Sequence, residues 1–174
     1  MILSTPPGPA EAPEYYFKYI SLVPNGDILR ILDEQRGDFV SLLRGYSEEQ
    51  SRFRYAPDKW SVREVVAHIN DAERLFAFRA FWFARGFTSG LPGFDQMVAA
   101  QHTNADERAL SSHVDEFESV RASTLDLLRH LSPDAWLRTG VASDCPFTAR
   151  ALAYIAAGHV IHHAAILKER YVRR

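Results

Sequence analysis

Three of the seven histidines stand close together near the end of the chain, in the segment His159-Val160-Ile161-His162-His163. Each residue of an α-helix turns the chain by about 100°, so His159 and His163 lie on one face, one turn apart, where their imidazoles can bind one ion. His162 points about 60° away from His159 and about 100° away from His163, which makes it a poorer chelating partner. Two imidazoles alone form a weak site, so a third ligand has to come from elsewhere in the chain.

The best candidate for the third ligand is His68. It lies about two helical turns after Ser61 and has apolar neighbours at Val65 and Ala72. If His68 faces the C-terminal helix from the core of a bundle, the three rings converge in the way that bundles build metal sites from facing helices. Three neutral imidazoles leave a zinc-like ion with an open position, as in catalytic sites, and zinc or nickel suits such ligands. The alternative is that each is an ordinary core histidine, hydrogen-bonded to a neighbour.

Two further residues could support the site from its surroundings. Asp71 lies three residues after His68, close enough to orient its ring or to act as a fourth ligand, because metal-bound histidines usually donate to a carboxylate or a carbonyl. The alternative for Asp71 is a carboxylate that caps the helix or faces solvent. His162, next to His163, is the other candidate for this supporting role. No protein side chain is assigned the catalytic role, which falls to water or a thiol bound to the metal.

The positions of the other ionisable residues indicate ordinary roles for most of them. Glu73 and Arg74 are expected to form an exposed charge pair, although Glu73 with Arg79 could instead form a buried polar network near the site. The remaining histidines lie in or near predicted loops and are expected on the surface: His102, His113 and His130.

The histidines need long helices to position them, and the sequence predicts four. Apolar residues at three- and four-residue spacings predict the first over residues 28–45. The second begins at a capping box formed by Ser61 and Glu64 and ends at Gly86, where glycine can adopt the left-handed conformation. The third is predicted to begin at an N-cap at Ser112.

The fourth helix begins at Thr148, which can cap it, and carries the histidine segment. Before the third helix, residues 88–110 form a long connection, and long connections in compact domains are often functional. We expect a short helix near residues 96–101 and expect residues 91–96 to form a wall of the substrate cavity.

These elements predict an all-α fold, a four-helix bundle with short extra helices in the connections. No convincing alternating strand is present, and residues 131–147 are expected to be irregular. Four prolines fall within the first thirteen residues, so residues 1–14 are predicted to form an extended, proline-rich arm.

Length and composition restrict the class of protein. The 174 residues fit a single domain over residues 1–174, and 47% hydrophobic with 24% charged residues is typical of a globular chain. A net charge of −2 provides no general attraction for nucleic acid, and no apolar run reaches the length of about 20 residues that a membrane span needs. The single Cys145 cannot form an intramolecular disulfide, which favours a reducing compartment, so we expect a cytoplasmic protein.

The predicted histidines stand in two recognisable motifs, the stretch Trp60-Ser61-Val62-Arg63-Glu64-Val65-Val66-Ala67-His68 and, much later, Gly158-His159 with His163. These motifs resemble those of the DinB/YfiT-like superfamily. Shorter matches occur in the expected order and extend the resemblance over nearly the whole chain: Asp71-Ala72-Glu73-Arg74, Leu91-Pro92-Gly93-Phe94-Asp95, Arg150-Ala151-Leu152 and Lys168-Glu169-Arg170-Tyr171.

This resemblance implies a four-helix bundle, often dimeric, in which His68, His159 and His163 bind a metal ion. Family members are similar to metal-dependent enzymes that transfer low-molecular-weight thiols such as bacillithiol, mycothiol or glutathione, and others are described as hydrolases. The sequence therefore predicts an enzyme in which a divalent ion, zinc or nickel, activates a thiol or water for attack on a small-molecule substrate. The alternative is a non-enzymatic, metal-stabilised bundle that acts through a dimer surface.

Aromatic residues surround the second predicted helix on more sides than one core face requires: Phe76, Phe78, Phe81, Trp82 and Phe83. Some of them must therefore contact something besides the core. They could pack against residues 88–110 or form a homodimer interface, since large exposed apolar patches usually mark association. Both explanations remain open; the family resemblance implies that a homodimer is often formed.

Overall fold

The chain folds into a helical bundle, seen here in a computed structural model that describes residues 2–171. Met1 and residues 172–174 of the predicted single domain lie outside this described part. The elements in chain order are α1 (Phe17–Ile20), α2 (Ile28–Arg44), α3 (Val62–Ala84), α4 (Gln96–Gln101), α5 (Leu110–Arg129), α6 (Pro133–Leu137), β1 (Thr139–Ala142), β2 (Cys145–Thr148) and α7 (Ala149–Arg170). Single turns of 3-10 helix lie at Ile2–Ser4, Glu14–Tyr16, Gln50–Arg52 and Ala105–Glu107.

The four long helices α2, α3, α5 and α7 form the bundle, which confirms the predicted all-α class and architecture. Helix α3 packs against α5 and α7, and α2 packs against the same two helices from the other side. Their apolar faces meet in the core, where residues such as Leu32, Ile69, Phe117 and Ile155 are fully buried. The short helix α4 lies over the residues where the sequence predicts it.

Local capping fixes the starts of α3 and α7 as predicted. The Ser61 hydroxyl accepts a hydrogen bond from the Glu64 amide at 3.1 Å, and the Glu64 carboxylate accepts one from the Ser61 amide at 2.7 Å. The Thr148 hydroxyl accepts from the Ala151 amide at 3.0 Å. At the other end of α3, Gly86 has a φ of 83°, the left-handed conformation that ends a helix.

Two predicted features of the connections are wrong. Helix α5 begins at Leu110 rather than at Ser112, because the Glu48 carboxylate accepts from the Leu110 amide at 3.1 Å and so caps the helix from a distant loop. Residues 131–147 are not irregular, since they contain α6 and an antiparallel hairpin of β1 and β2. Ser143 and Asp144 form its turn with φ values of 53° and 60°.

The predicted N-terminal arm is not extended throughout. It contains the 3-10 turn at Ile2–Ser4 and a turn in which the Glu11 amide donates to the Gly8 carbonyl at 2.9 Å. The Glu11 carboxylate holds this segment to the start of α7, where it accepts from the Thr148 hydroxyl at 2.9 Å and from Arg150 Nε at 3.0 Å. The arm is thus tied to the body of the bundle.

A buried polar network connects all four bundle helices. Arg121 on α5 donates to both carboxylate oxygens of Glu73 on α3, at 2.8 and 3.0 Å, and to Gln35 Oε1 on α2 at 2.7 Å. Gln35 in turn donates to the Ala157 carbonyl on α7 at 2.9 Å. Glu73 therefore pairs with Arg121, and neither the exposed Glu73–Arg74 pair nor the Glu73–Arg79 network is formed.

Within the described residues, no helix combines the length and apolar character that crossing a membrane requires.

Candidate metal centre

The three predicted histidines converge between α3 and α7. The Nε2 atom of His159 lies 3.1 Å from His68 Nε2 and 3.1 Å from His163 Nε2. All three ligand atoms lie within 4.8 Å of one another, and this is the metal-competent group of histidine, cysteine and acidic side chains found in residues 2–171. The one-turn spacing on α7 and the core position on α3 therefore produce the geometry that the sequence predicts.

Helix packing holds these rings in place. His68 and His159 are 6% and 5% exposed, and His163 is partly buried. The ring of Trp60, just before α3, lies 4.9 Å from the His68 ring, and the Phe76 ring lies 5.9 Å from His159. Apolar contacts on several sides restrict the rotation of the imidazoles and keep their Nε2 atoms directed at one point.

The convergence fits a metal ion better than it fits a hydrogen-bonded cluster. Each Nε2 of a neutral imidazole either donates one proton or accepts with one in-plane lone pair, so His159 Nε2 cannot form full hydrogen bonds with both neighbours. Tetrahedral zinc binds imidazole nitrogens at about 2.0–2.1 Å, which places them about 3.3 Å apart. The observed separations of 3.1 Å are close to that spacing.

Burial sets the charge of the cluster. It lowers the pKa of His68 to about 4. Together with the neighbouring charges of His68, His162 and Lys18, it lowers the pKa of His163 to about 3. Burial also lowers the pKa of His159 well below its ordinary value. All three imidazoles are therefore neutral at pH 7, which is the form that binds metal ions.

The short helix α1 covers the outer side of the cluster. The Tyr19 ring lies 5.4 Å from both the His159 and the His162 rings, edge to face. Gly158 makes this approach possible, because a Cβ at that position would lie 2.1 Å from the Tyr19 carbonyl oxygen. Lys18 stands above the rings of Tyr15 and Tyr19, 3.6 and 4.8 Å from their centroids.

A cavity of about 250 Å³ opens beside His68 and His159. Its volume suits a small molecule, since pockets for drug-sized ligands begin at about 300 Å³. Phe94 and Gln96, within the predicted wall of residues 91–96, form part of its lining. Arg79 and Ser143 contribute polar groups, so the hairpin turn that the sequence did not indicate also reaches the cavity.

The sequence pattern of the DinB superfamily matches residues 31–167, a range that contains all three histidines. The chain belongs to the DinB superfamily. A comparison of this DinB chain with curated proteins gives no match.

Among solved structures, this DinB chain is similar to YfiT from Bacillus subtilis, which is described as a probable metal-dependent hydrolase with an unusual four-helix bundle topology. The TM-score is 0.74, the match covers 97% of this chain and 95% of YfiT, and the identity is 19%. At that identity the likeness establishes the shared fold.

The two residues predicted to support the DinB site differ in their placement. The Asp71 carboxylate lies 3.9 Å from Arg74 Nη1 and, among the described residues, makes no hydrogen bond to His68. The His162 ring lies 5.1 Å from the His163 ring and packs against Tyr19. His162 therefore borders the cluster, whereas Asp71 belongs to the half-buried surface beside it.

The predicted surface position of His113 is wrong. His113 is fully buried, and its Nε2 lies 2.9 Å from the Ala105 carbonyl oxygen. The sequence puts His113 next to a loop because it predicts the start of α5 at Ser112, whereas the helix begins at Leu110, three residues before His113. His102 and His130 are exposed, as predicted.

Proposed function

We propose that this protein is a metal-dependent hydrolase of a small-molecule substrate, in which His68, His159 and His163 hold a divalent cation. The observation that supports it most strongly is the convergence of three neutral Nε2 atoms beside a cavity. The description of YfiT as a probable metal-dependent hydrolase, on the same fold, supports the reaction class. A divalent ion bound by these residues supplies Lewis acidity and lowers the pKa of a nucleophile bound to it.

The protein's own residues prepare the site for this role. Because burial keeps the three imidazoles neutral, no proton has to be displaced from a ligand at pH 7. Burial also raises the pKa of Tyr19 well above its ordinary value, so the phenol beside His159 keeps its proton. Tyr19 can therefore donate a hydrogen bond to a substrate.

The types of ligand restrict the class of ion but do not identify the element. Three imidazoles and no carboxylate favour a late transition metal over magnesium or calcium, which prefer oxygen ligands. We propose zinc or nickel.

The experiment that tests this proposal is a turnover assay on metal-free protein reloaded with zinc or nickel. We expect hydrolysis of small activated esters or amides by the loaded wild type, and a loss of at least about a hundredfold in His159→Ala, because the central ligand is removed. His130→Ala, at an exposed histidine, is the matched control and should keep full activity. Undiminished turnover by metal-free protein or by His159→Ala would contradict the proposal.

The same assay separates hydrolysis from thiol transfer, the other reaction that the family resemblance implies. Bacillithiol, mycothiol and glutathione are added in turn together with an electrophilic substrate. Turnover without any thiol supports the hydrolase. Turnover that requires a thiol and depends on the metal reassigns the reaction to thiol transfer at the same three histidines.

A further inference from the structure

Arg79 is a buried cation without an acidic partner. It lies on α3, its residue is only 2% exposed, and no carboxylate within residues 2–171 comes within ion-pair distance of it. The other deeply buried arginines are paired, Arg121 with Glu73 and Arg63 with Glu48. A buried guanidinium without a counter-charge is unfavourable, so its retention needs an explanation.

The neutral groups around Arg79 use only part of its hydrogen-bonding capacity. Its Nη2 donates to the Pro92 carbonyl at 3.0 Å and to the Ser143 hydroxyl at 3.2 Å, while its Nε has no acceptor. The Tyr16 phenol also interacts with the guanidinium, but burial raises the pKa of that phenol, so it carries no charge. These contacts hold the loops in place and leave the positive charge uncompensated.

Arg79 lines the same cavity as the histidine cluster. His68, Ala72, Phe76 and Arg79 follow one another at helical spacing along one face of α3, and all four border the cavity. The eleven residues from His68 to Arg79 correspond to about 16 Å along the helix axis. Among the described residues that line the cavity, Arg79 alone carries a permanent charge, and none is acidic.

We propose that Arg79 binds a carboxylate group of the substrate, while the bond to be broken lies at the histidines. The placement of the reacting bond at the histidines rests on the proposed function, but the anion site at Arg79 does not. A guanidinium pairs with carboxylate or phosphate through parallel hydrogen bonds. A carboxylate fits better here, because a single arginine without a lysine in the cavity wall matches one negative charge. The aromatic wall formed by Phe76 and Phe94 suits an apolar body between the two ends.

The test is an NMR titration of metal-free protein with benzoate, with benzamide as the uncharged isostere and phenyl phosphate as the alternative anion. In metal-free protein, Arg79 is the permanent cation among the described residues that line the cavity. Lys18 stands at the cavity edge, over Tyr15 and Tyr19, so Lys18→Gln is tested in parallel and should leave benzoate binding unchanged. We expect benzoate to bind the wild type and Arg79→Gln to weaken this binding by about ten- to a hundredfold. Benzamide should bind the wild type no more tightly than benzoate binds Arg79→Gln. Arg74→Gln, at an exposed arginine on the same helix, should bind benzoate as the wild type does.

A second variant covers the case in which Arg79→Gln does not fold. Arg79→Lys keeps the charge but lacks the planar fork, so it should bind benzoate with intermediate affinity. Three results would overturn the proposal. The wild type could bind benzoate and benzamide equally, or Arg79→Gln or Arg79→Lys could bind benzoate as tightly as the wild type does. The third result is a wild type that binds phenyl phosphate but does not bind benzoate.

The titration also distinguishes this inference from the proposed function. Benzoate binding that depends on Arg79 stands even if no metal-dependent turnover is found. Conversely, metal-dependent turnover that is indifferent to Arg79→Gln, together with no benzoate binding, would remove the carboxylate site and leave the metal centre.

Discussion

At the scale of single residues, burial determines what the histidine cluster can do. The three rings lie among apolar and aromatic neighbours that exclude water, which disfavours the protonated forms. The same burial keeps the rings neutral and available as ligands, but it lowers the stability of the metal-free folded state in acid. Metal-free protein should therefore show a pH-dependent stability that originates in this cluster.

We predict that the free energy of unfolding of metal-free protein falls as the pH drops below 6.5. Above the ordinary histidine pKa of 6.5, both folded and unfolded chains carry neutral rings, so the contribution of the cluster to stability is complete. Between 6.5 and about 4 the unfolded chain binds protons that the folded His68 does not accept, which favours unfolding. Urea denaturation at a series of pH values measures this slope.

Two variants show whether the slope comes from the cluster. His159→Ala removes the most buried ring of the cluster and should flatten the dependence on pH, while His130→Ala removes an exposed histidine and should leave it unchanged. Parallel curves for the wild type and His159→Ala would contradict this explanation.

Residue types and spacing were sufficient to predict that His159 and His163 converge, because one turn of helix fixes the relation between them, and the core position of His68 brought it to the same point. They were not sufficient for His113 or for the partner of Glu73. Those positions depend on where α5 begins and on which helix faces which, and neither is encoded in the few residues on either side. The sequence suggests a network of Arg79 with Glu73, whereas the position of Arg79 in the cavity, without an acidic partner, depends on the tertiary structure.

At the scale of elements, the contact between α1 and α7 determines how Tyr19 covers the histidine cluster. Gly158 lies in the middle of α7, where alanine is ordinarily the better helix former by about 1 kcal/mol. Here the Tyr19 carbonyl occupies the space of a side chain, and its backbone cannot move aside as a flexible side chain could. The steric cost should therefore exceed the gain in helix propensity.

We predict opposite effects of the same substitution at two helical glycines. Gly158→Ala should destabilise the protein by about 1–3 kcal/mol through overpacking against Tyr19. Gly37→Ala, in α2 with open space around it, should stabilise by about 0.5–1 kcal/mol. Thermal or urea denaturation of both variants measures the difference. Stabilisation by Gly158→Ala would show that α1 does not pack closely against α7 at Gly158.

The elements that were predictable carry local signals. The capping box of Ser61 and Glu64 lies within one turn and marks the start of α3 correctly. The start of α5 was missed because its cap, Glu48, lies far away in sequence. The hairpin was missed because its strands have four residues each and its Ser143-Asp144 turn lacks the glycine that usually marks such turns.

At the scale of the whole molecule, packing within the chain covers only part of the aromatic residues of α3. Phe76 and Phe83 are buried in the core, and Trp82 stacks on Phe87 of the following connection with ring centroids 4.0 Å apart. Phe78 remains 47% exposed beside the partly buried Phe81. Packing within the chain thus accounts for part of the aromatic surface and leaves the rest on the outside of the bundle.

We predict that the protein forms a homodimer through this remaining face. Sedimentation equilibrium should give twice the chain mass of 19.7 kDa. Phe78→Glu should produce a monomer, because it places a charge in the apolar contact, while Leu137→Glu, at an exposed apolar residue on α6, should remain a dimer. A wild type that is monomeric at all concentrations would contradict the prediction.

The central claim is that three histidines from two helices form one metal centre. Elemental analysis of protein purified without a metal-affinity tag tests it most directly, with His68→Ala, His159→Ala, His163→Ala and, as the control, His162→Ala. We predict one equivalent of zinc or nickel in the wild type, retention of the metal in His162→Ala, and its loss from each of the other variants. A wild type that neither contains nor takes up metal, or metal that survives removal of any of the three ligands, would contradict the claim.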